Sequence, residues 1–230
     1  MLPGEVEVLL FGAHPDDVEW AVGGIAVRLR DENIPFAIVD MTKGEMGSRG
    51  TVEKRRIEAR RAADYLNVSA RENLELPDCG LEDSPQNRRL VASAIRRYQP
   101  KIVLAPLWED RHPDHAAAGR IVQNSRLYCA LKNSGDPNPP HKPGAFLFYP
   151  IHAFHQPTFV VDTSSVYARK LELIRIYESQ FHETEGDFLF RLESRDRYFG
   201  SLAGVHHGEA LVADQPIALS ELRSLLSFLA

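Results

Sequence analysis

Cysteine is nearly absent. The 230 residues include two, Cys79 and Cys129, too few for the disulfide framework of a secreted scaffold. Both are expected to be reduced thiols in a cytoplasmic protein, and neither has the local company of a thiolate nucleophile. Long apolar runs are also missing, so no membrane-spanning helix is expected. The opening MLPGEVEVLLFGAHPDD puts no basic segment ahead of its short apolar run, which therefore reads as a buried strand and not as a secretion signal. Nor is there an excess of charge. With 27 basic and 32 acidic residues the net charge is −5, which argues against nucleic acid or an anionic membrane as a partner. Lys54-Arg-Arg56 and Arg60-Arg61 alternate with Glu53 and Glu58 and read as a solvated helix face. Neither GxGxxG nor GxxxxGK[ST] occurs, and no repeat, low-complexity tract or linker divides the chain. One domain over residues 1–230, with a substantial core, is the expectation.

Strand-like and helix-like segments alternate. Val6–Phe11 is apolar enough for a central strand, and Glu19–Asp31 has helical spacing through Ala21, Ile25 and Leu29. The pattern continues with strands at Ile34–Val39, Asn73–Leu76 and Ile102–Leu107, separated by helices at Val52–Leu66 and Gln86–Tyr98. A helix Asp114–Leu131, with Pro113 near its start, leads to an Asn-, Pro- and Gly-rich loop, Asn133–Gly144. Strands Ala145–Tyr149 and Thr158–Val161 and helices Ser164–Tyr177 and Thr184–Phe199 follow. Leu211–Ala230 is apolar enough to pack on the body. Such alternation predicts an α/β fold, a Rossmann-like, mostly parallel sheet with helices on both faces. Its strand-end loops share one edge, where open α/β folds bind ligands.

Two polar clusters then stand out, each directly after an apolar strand: FGAHPDD, residues 11–17, and WEDRHPDH, residues 108–115. Both contain His-Pro-Asp. Imidazole nitrogen and carboxylate oxygen suit zinc, and other divalent ions fit the same donors. His14 and Asp17 are three residues apart, as are His112 and His115. Ligands His14, Asp17 and His115 would leave an open position for water, with Asp16 and His112 as an acid–base pair and Asp114 beside His112 to orient it. Spacing alone equally allows His112 in place of His115, and Asp16 or Asp114 as a helix cap. These parts make a metal hydrolase of amides, esters or phosphates. For substrate, Glu45, Ser48 and Arg49 in TKGEMGSRG offer hydrogen bonds to sugar hydroxyls or a carboxylate, and Arg111 offers an anion fork. Tyr149, His152, His155 and His182 are candidates for a pocket rim.

FGAHPDDVE and RHPDH resemble the paired motifs of the LmbE-like, or PIG-L-like, zinc-dependent N-deacetylases of N-acetylglucosamine derivatives. The resemblance runs from Val6 through RDRYFGSLAG, residues 195–204, to Gly208-Glu209-Ala210. It implies zinc on His14, Asp17 and His115, Asp16 as general base, His112 as stabiliser of the oxyanion and Asp114 as its oriented neighbour. TKGEMGSRG and DRHPDH look most like the bacillithiol-biosynthesis branch, whose members deacetylate N-acetylglucosaminyl-malate. Arg111 would then be similar to the arginine that meets the malate carboxylate. Trp20-Ala-Val22 departs from the small or cysteine-containing segment of that branch. The resemblance further implies a homo-oligomer, commonly a hexamer. A deacetylase of diacetylchitobiose or another amino-sugar conjugate, and a noncatalytic carbohydrate-binding protein, are the alternatives.

Overall fold

The computed structural model describes residues 5–181 and 185–218. Five parallel strands form the body of the sheet: β1 (Val8–Gly12), β2 (Phe36–Thr42), β3 (Ala70–Leu76), β4 (Ile102–Pro106) and β5 (Ala145–Tyr149). Two antiparallel strands, β6 (Phe159–Asp162) and β7 (Gly208–Ala213), extend it beyond β5. The spatial order is β3-β2-β1-β4-β5-β7-β6. β1 and β2 are continuous apolar runs because both faces of the sheet are covered. Leu9 and Phe11 point into a core shared with α3 (Pro85–Tyr98) and α4 (Pro113–Ala130). Val8 and Leu10 point into the opposite core with α1 (Asp17–Asp31), α2 (Val52–Leu66) and α5 (Tyr167–Arg175). β3, whose residues are mostly half-buried, carries Arg71, Glu72, Asn73 and Glu75, polar side chains suited to an edge.

Strand order reverses between β1 and β4. The crevice outside their carboxyl ends is where a doubly wound sheet leaves room for a ligand, and both His-Pro-Asp motifs emerge there. The approach of α4 to that edge is close. A Cβ on Gly119 would stand 2.5 Å from the Pro106 carbonyl oxygen and 2.7 Å from backbone atoms of Leu107 and Trp108. Glycine lets α4 lie directly on the end of β4.

The expected elements are present with small changes at their ends, and three differences matter. First, α1 begins at Asp17, two residues early, and breaks at Val22 (φ −134°, ψ 28°). Second, the helix expected over Ser164–Tyr177 is a 3-10 turn at Ser164–Val166 followed by α5, after which a short helix, α6 (Glu178–Phe181), precedes α7 (Glu185–Ala203). Third, Gly208–Ala213 is a strand inserted between β5 and β6. That pairing is non-local, and the tail reading of Leu211–Ala230 gave no sign of it. Residues 219–230 of that segment, and His182, lie outside the described residues. No helix among the described residues is long and apolar enough to cross a membrane.

Gly119→Ala is expected to force α4 off β4 and destabilise the fold by about 1–3 kcal/mol, the usual range for overpacking. Urea unfolding measures this directly, with the midpoint falling and the slope unchanged.

Candidate metal centre and catalytic cleft

The turn after β1 closes on itself. The His14 amide donates to Asp17 Oδ2 at 2.9 Å, and the Asp17 amide to the His14 carbonyl at 3.3 Å. Between them Asp16 has φ 124°, a conformation costing a non-glycine residue on the order of 1–3 kcal/mol and found mainly at functional sites. Its carboxylate makes no helix cap. It accepts from Arg55 Nη2 at 3.1 Å, and the same guanidinium nitrogen donates to Gln180 Oε1 at 2.6 Å. At the start of α4, His112 is the N-cap and accepts the Asp114 amide on Nδ1 at 3.2 Å. Neutral His112 therefore carries its proton on Nε2.

Asp17 lies between two imidazoles, with Oδ2 3.5 Å from His14 Nδ1 and Oδ1 3.2 Å from His115 Nε2. The donor atoms of His14, Asp17 and His115 lie within 4.8 Å of one another, and all three residues are buried. The far nitrogens are held by carboxylates. His14 Nε2 is 3.1 Å from Asp78 and 3.4 Å from Asp114, and His115 Nδ1 is 3.3 Å from Asp110. Carboxylates so placed would fix the orientation of both imidazoles toward a metal. Three neighbouring groups, His14–His112–Asp114, Asp110–His115–His152 and Asp78–Cys79–Asp114, are equally compact, but each contains a carboxylate that accepts two or more backbone amides. Asp114 accepts from the Cys79 and Leu81 amides, and Asp110 from those of His112 and His152. The donors of His14, Asp17 and His115 fit zinc.

Electrostatics point the same way. Burial alone would lower the His14 pKa, yet Asp114, Asp17 and Asp78 push it up to about 12. His115 is likewise raised to about 9 against burial, by Asp17 and Asp110. Asp17, despite its burial, is held well below the usual carboxylate range by His115 and His14. Protonated imidazoles offset the carboxylates here, and a divalent cation bound on the same atoms would take the place of their protons. Asp16 behaves differently. Burial raises it to about 6, opposed by Arg55. Burial, then the positive charge of His115 and His14, lowers His112.

The centre opens into a cleft of about 770 Å³. Trp20, Phe181 and Phe188 form one wall, with Phe188 3.9 Å from Trp20 and 4.0 Å from Phe181 between ring centroids. Phe154 and Tyr198 meet edge-on at 5.2 Å on the rim. Arg111, Arg191 and Arg195 also line it.

His14, Asp16, Asp17, Arg111, His112 and His115 all line this cleft, whereas Glu45, Ser48 and Arg49 do not. Glu45 accepts the amides of Lys43 and Asp78, so it braces the loop that presents Asp78 to His14. Ser48 is exposed, and Arg49 bonds to Gln180. Asp114 meets His112 through its backbone amide, on Nδ1, while its carboxylate accepts from the Cys79 and Leu81 amides, beside His14. Arg55, read as part of a solvated face, is buried against Asp16. Of the rim candidates, His152 lines the cleft, while Tyr149 is wholly buried and its hydroxyl donates to the Phe11 carbonyl. His155 packs against Trp108. Three contributors went unread. Asp110 stands inside the WEDRHPDH stretch, five residues before His115, and that spacing was a usable signal. Asp78 and Arg55 reach the site from other loops and had none.

The profile of the GlcNAc-PI de-N-acetylase (PIG-L) family matches residues 9–125. The chain is 30% identical over 221 residues to diacetylchitobiose deacetylase of Thermococcus kodakarensis, covering 89% of this chain and 82% of the relative. It is 30% identical over 135 residues to a probable N-acetyl-alpha-D-glucosaminyl L-malate deacetylase 2 of Bacillus anthracis, covering 53% and 59%. The crystal structure of a conserved protein, TT1542, from Thermus thermophilus superposes with a TM-score of 0.87 at 34% identity, over 94% of this chain and 98% of that one.

Asp110→Ala, which frees His115 Nδ1 and two backbone amides, is expected to weaken zinc binding about 10–100-fold. Competition with a chromophoric chelator measures this, and an unchanged affinity would remove Asp110 from the support of the centre.

Proposed function

The chain belongs to the PIG-L family of GlcNAc-PI de-N-acetylases, and on that premise we propose that it removes acetyl from an N-acetylglucosamine conjugate with an anionic aglycone, N-acetylglucosaminyl-malate above all. The observation that carries this reading is the meeting of His14 and Asp17 from the β1 end with His115 from the β4 end, with Asp16, His112 and Arg111 lining the same cleft. A metal-dependent amide hydrolase needs these parts.

Zinc held by His14, Asp17 and His115 supplies, when bound, Lewis acidity toward the amide carbonyl and toward water. The remaining work falls to side chains. Asp16, braced by Arg55, takes a proton from the water that attacks the amide carbon. A carboxylate raised to about 6 by burial is ionised at neutral pH and still basic enough for that task. Negative charge collects on the former carbonyl oxygen as the carbon becomes tetrahedral, and His112 donates to it from Nε2. The C–N bond breaks, Asp16 returns its proton to the leaving nitrogen, and acetate and the free amine remain. Asp114 and Asp110 hold His14 and His115 in register. Arg111, adjacent to His112, meets the aglycone carboxylate with its two-pronged donor.

A second reading, diacetylchitobiose as substrate, has its own support. The relative of that name aligns over most of its length, and the exposed Phe154–Tyr198 pair offers a face on which a second pyranose could stack. The finer expectations belong to the same proposal: one deacetylase domain over residues 1–230, a cytoplasmic setting in keeping with two free cysteines, and a homo-oligomer, hexameric as in the bacillithiol branch.

Acetate release is the assay. Asp16→Asn is expected to lower kcat by about 10²–10⁴-fold, the usual reach of a general base, with zinc still bound; full turnover would refute the role, and no release by the unaltered protein would leave carbohydrate binding as the function. N-acetylglucosaminyl-malate is expected to outcompete diacetylchitobiose, and Arg111→Ala to raise KM for the malate conjugate alone by about 10–100-fold. Preference for chitobiose would overturn the anionic assignment and leave the hydrolase intact.

A further inference from the structure

Behind the aromatic wall, α1 is broken, and four buried charges surround the break. Interrupting a helix frees carbonyls at the end of the first segment and amides at the start of the second. Here two of the carbonyls and two of the amides have ionic partners. Arg195 Nη2 donates to the carbonyls of Trp20 at 2.8 Å and Ala21 at 3.1 Å. Glu209 accepts the amide of Gly24 on Oε1 at 2.8 Å and that of Ile25 on Oε2 at 2.7 Å. A cation at a helix carboxyl end and an anion at an amino end also suit the two segment dipoles.

The two partners are tied to each other. Arg195 Nη2 reaches Asp196 at 2.8 Å, and Lys170 Nζ is 2.6 Å from both Asp196 and Glu209. The side chains of Lys170, Asp196 and Glu209 are fully buried, and that of Arg195 nearly so. They come from α5, α7 and β7, three elements that converge on this point of α1. Gly24 makes the approach feasible, because a Cβ there would lie 2.7 Å from Thr163 Cγ2 and 2.9 Å from Glu209 Oε1.

Stability alone is a weak reason to bury two acids and two bases, since well-packed apolar side chains of similar volume commonly serve as well or better. Geometry gives a stronger one. The first segment, Asp17–Ala21, starts with the carboxylate shared by His14 and His115, follows directly on Asp16, and carries Trp20 into the cleft. We propose that Glu209 and Arg195, locked together by Lys170 and Asp196, are positioning residues that hold the break in α1 and thereby aim Asp16 and Asp17 at the centre. The inference rests on the roles assigned to those two aspartates.

Glu209→Gln and Asp196→Asn test it. Both are close to isosteric, and neither residue lines the cleft. The expected result is folded protein whose zinc dissociation constant, read by chelator competition, rises about tenfold. At saturating zinc, kcat is expected to fall about tenfold while KM stays within about twofold. A lowered unfolding temperature with unaltered zinc affinity and kcat would overturn the proposal. So would failure of both variants to fold, because the cluster would then serve folding and not aim. If one folds, it decides. Zinc affinity needs no substrate, so an unaltered protein without deacetylase activity would refute the function while leaving this arm of the test in force.

Discussion

One carboxylate shared between two strand ends organises the rest of the molecule. Asp17 lies within 3.5 Å of His14 and 3.2 Å of His115, and these residues are adjacent only because β1 and β4 are neighbours in the sheet. Burying that carboxylate is costly unless opposite charge accompanies it. Asp78, Asp110 and Asp114 add further negative charge around the same point. Positive charge, on the imidazoles themselves or on an ion held between them, is what offsets it.

The surrounding polar structure serves that demand in layers. Asp114 and Asp110 each anchor a histidine of the candidate centre while accepting backbone amides, so the loops holding them are set by the same carboxylates that orient the imidazoles. Glu45 fastens the Asp78 loop, and Arg55 holds the carboxylate of Asp16. Below the site, Arg71 forks onto Asp40 and reaches Glu19, which also accepts the Tyr177 hydroxyl. Buried ion pairs such as these contribute little net stability relative to apolar packing, but removing one member of a pair is expensive. What they provide is a restricted set of positions for side chains that must act within hydrogen-bonding reach of one another.

Local sequence and spatial assembly contributed unequally to what was legible. The apolar runs of β1, β2 and β4 announce themselves because strands covered on both faces must be apolar throughout, and the repeated His-Pro-Asp after two of them locates the centre. Periodicity also places α2 and β5 at their observed bounds. Gly23-Gly24 is a local sign of weakness in α1 beside the break at Val22, but the partners of the groups it frees, Arg195 and Glu209, lie far along the chain. Arg55 looked like one arginine among many; burial beside Asp16 is a property of the fold and not of its neighbours in α2. TKGEMGSRG read as a substrate loop because its residue types suit sugars, yet Glu45 is taken up by backbone amides. β7 was missed because its pairing with β5 and β6 is non-local. The family profile spans residues 9–125, which carry both His-Pro-Asp motifs, while much of the cleft wall comes from α6 and α7.

The most direct measurement is anomalous scattering at the zinc edge from a zinc-loaded crystal. One strong peak at ordinary zinc–ligand distances from His14, Asp17 and His115 together is the predicted result. A peak elsewhere, or imidazoles of His14 and His115 turned toward separate regions with no shared ion, would contradict the account at its root.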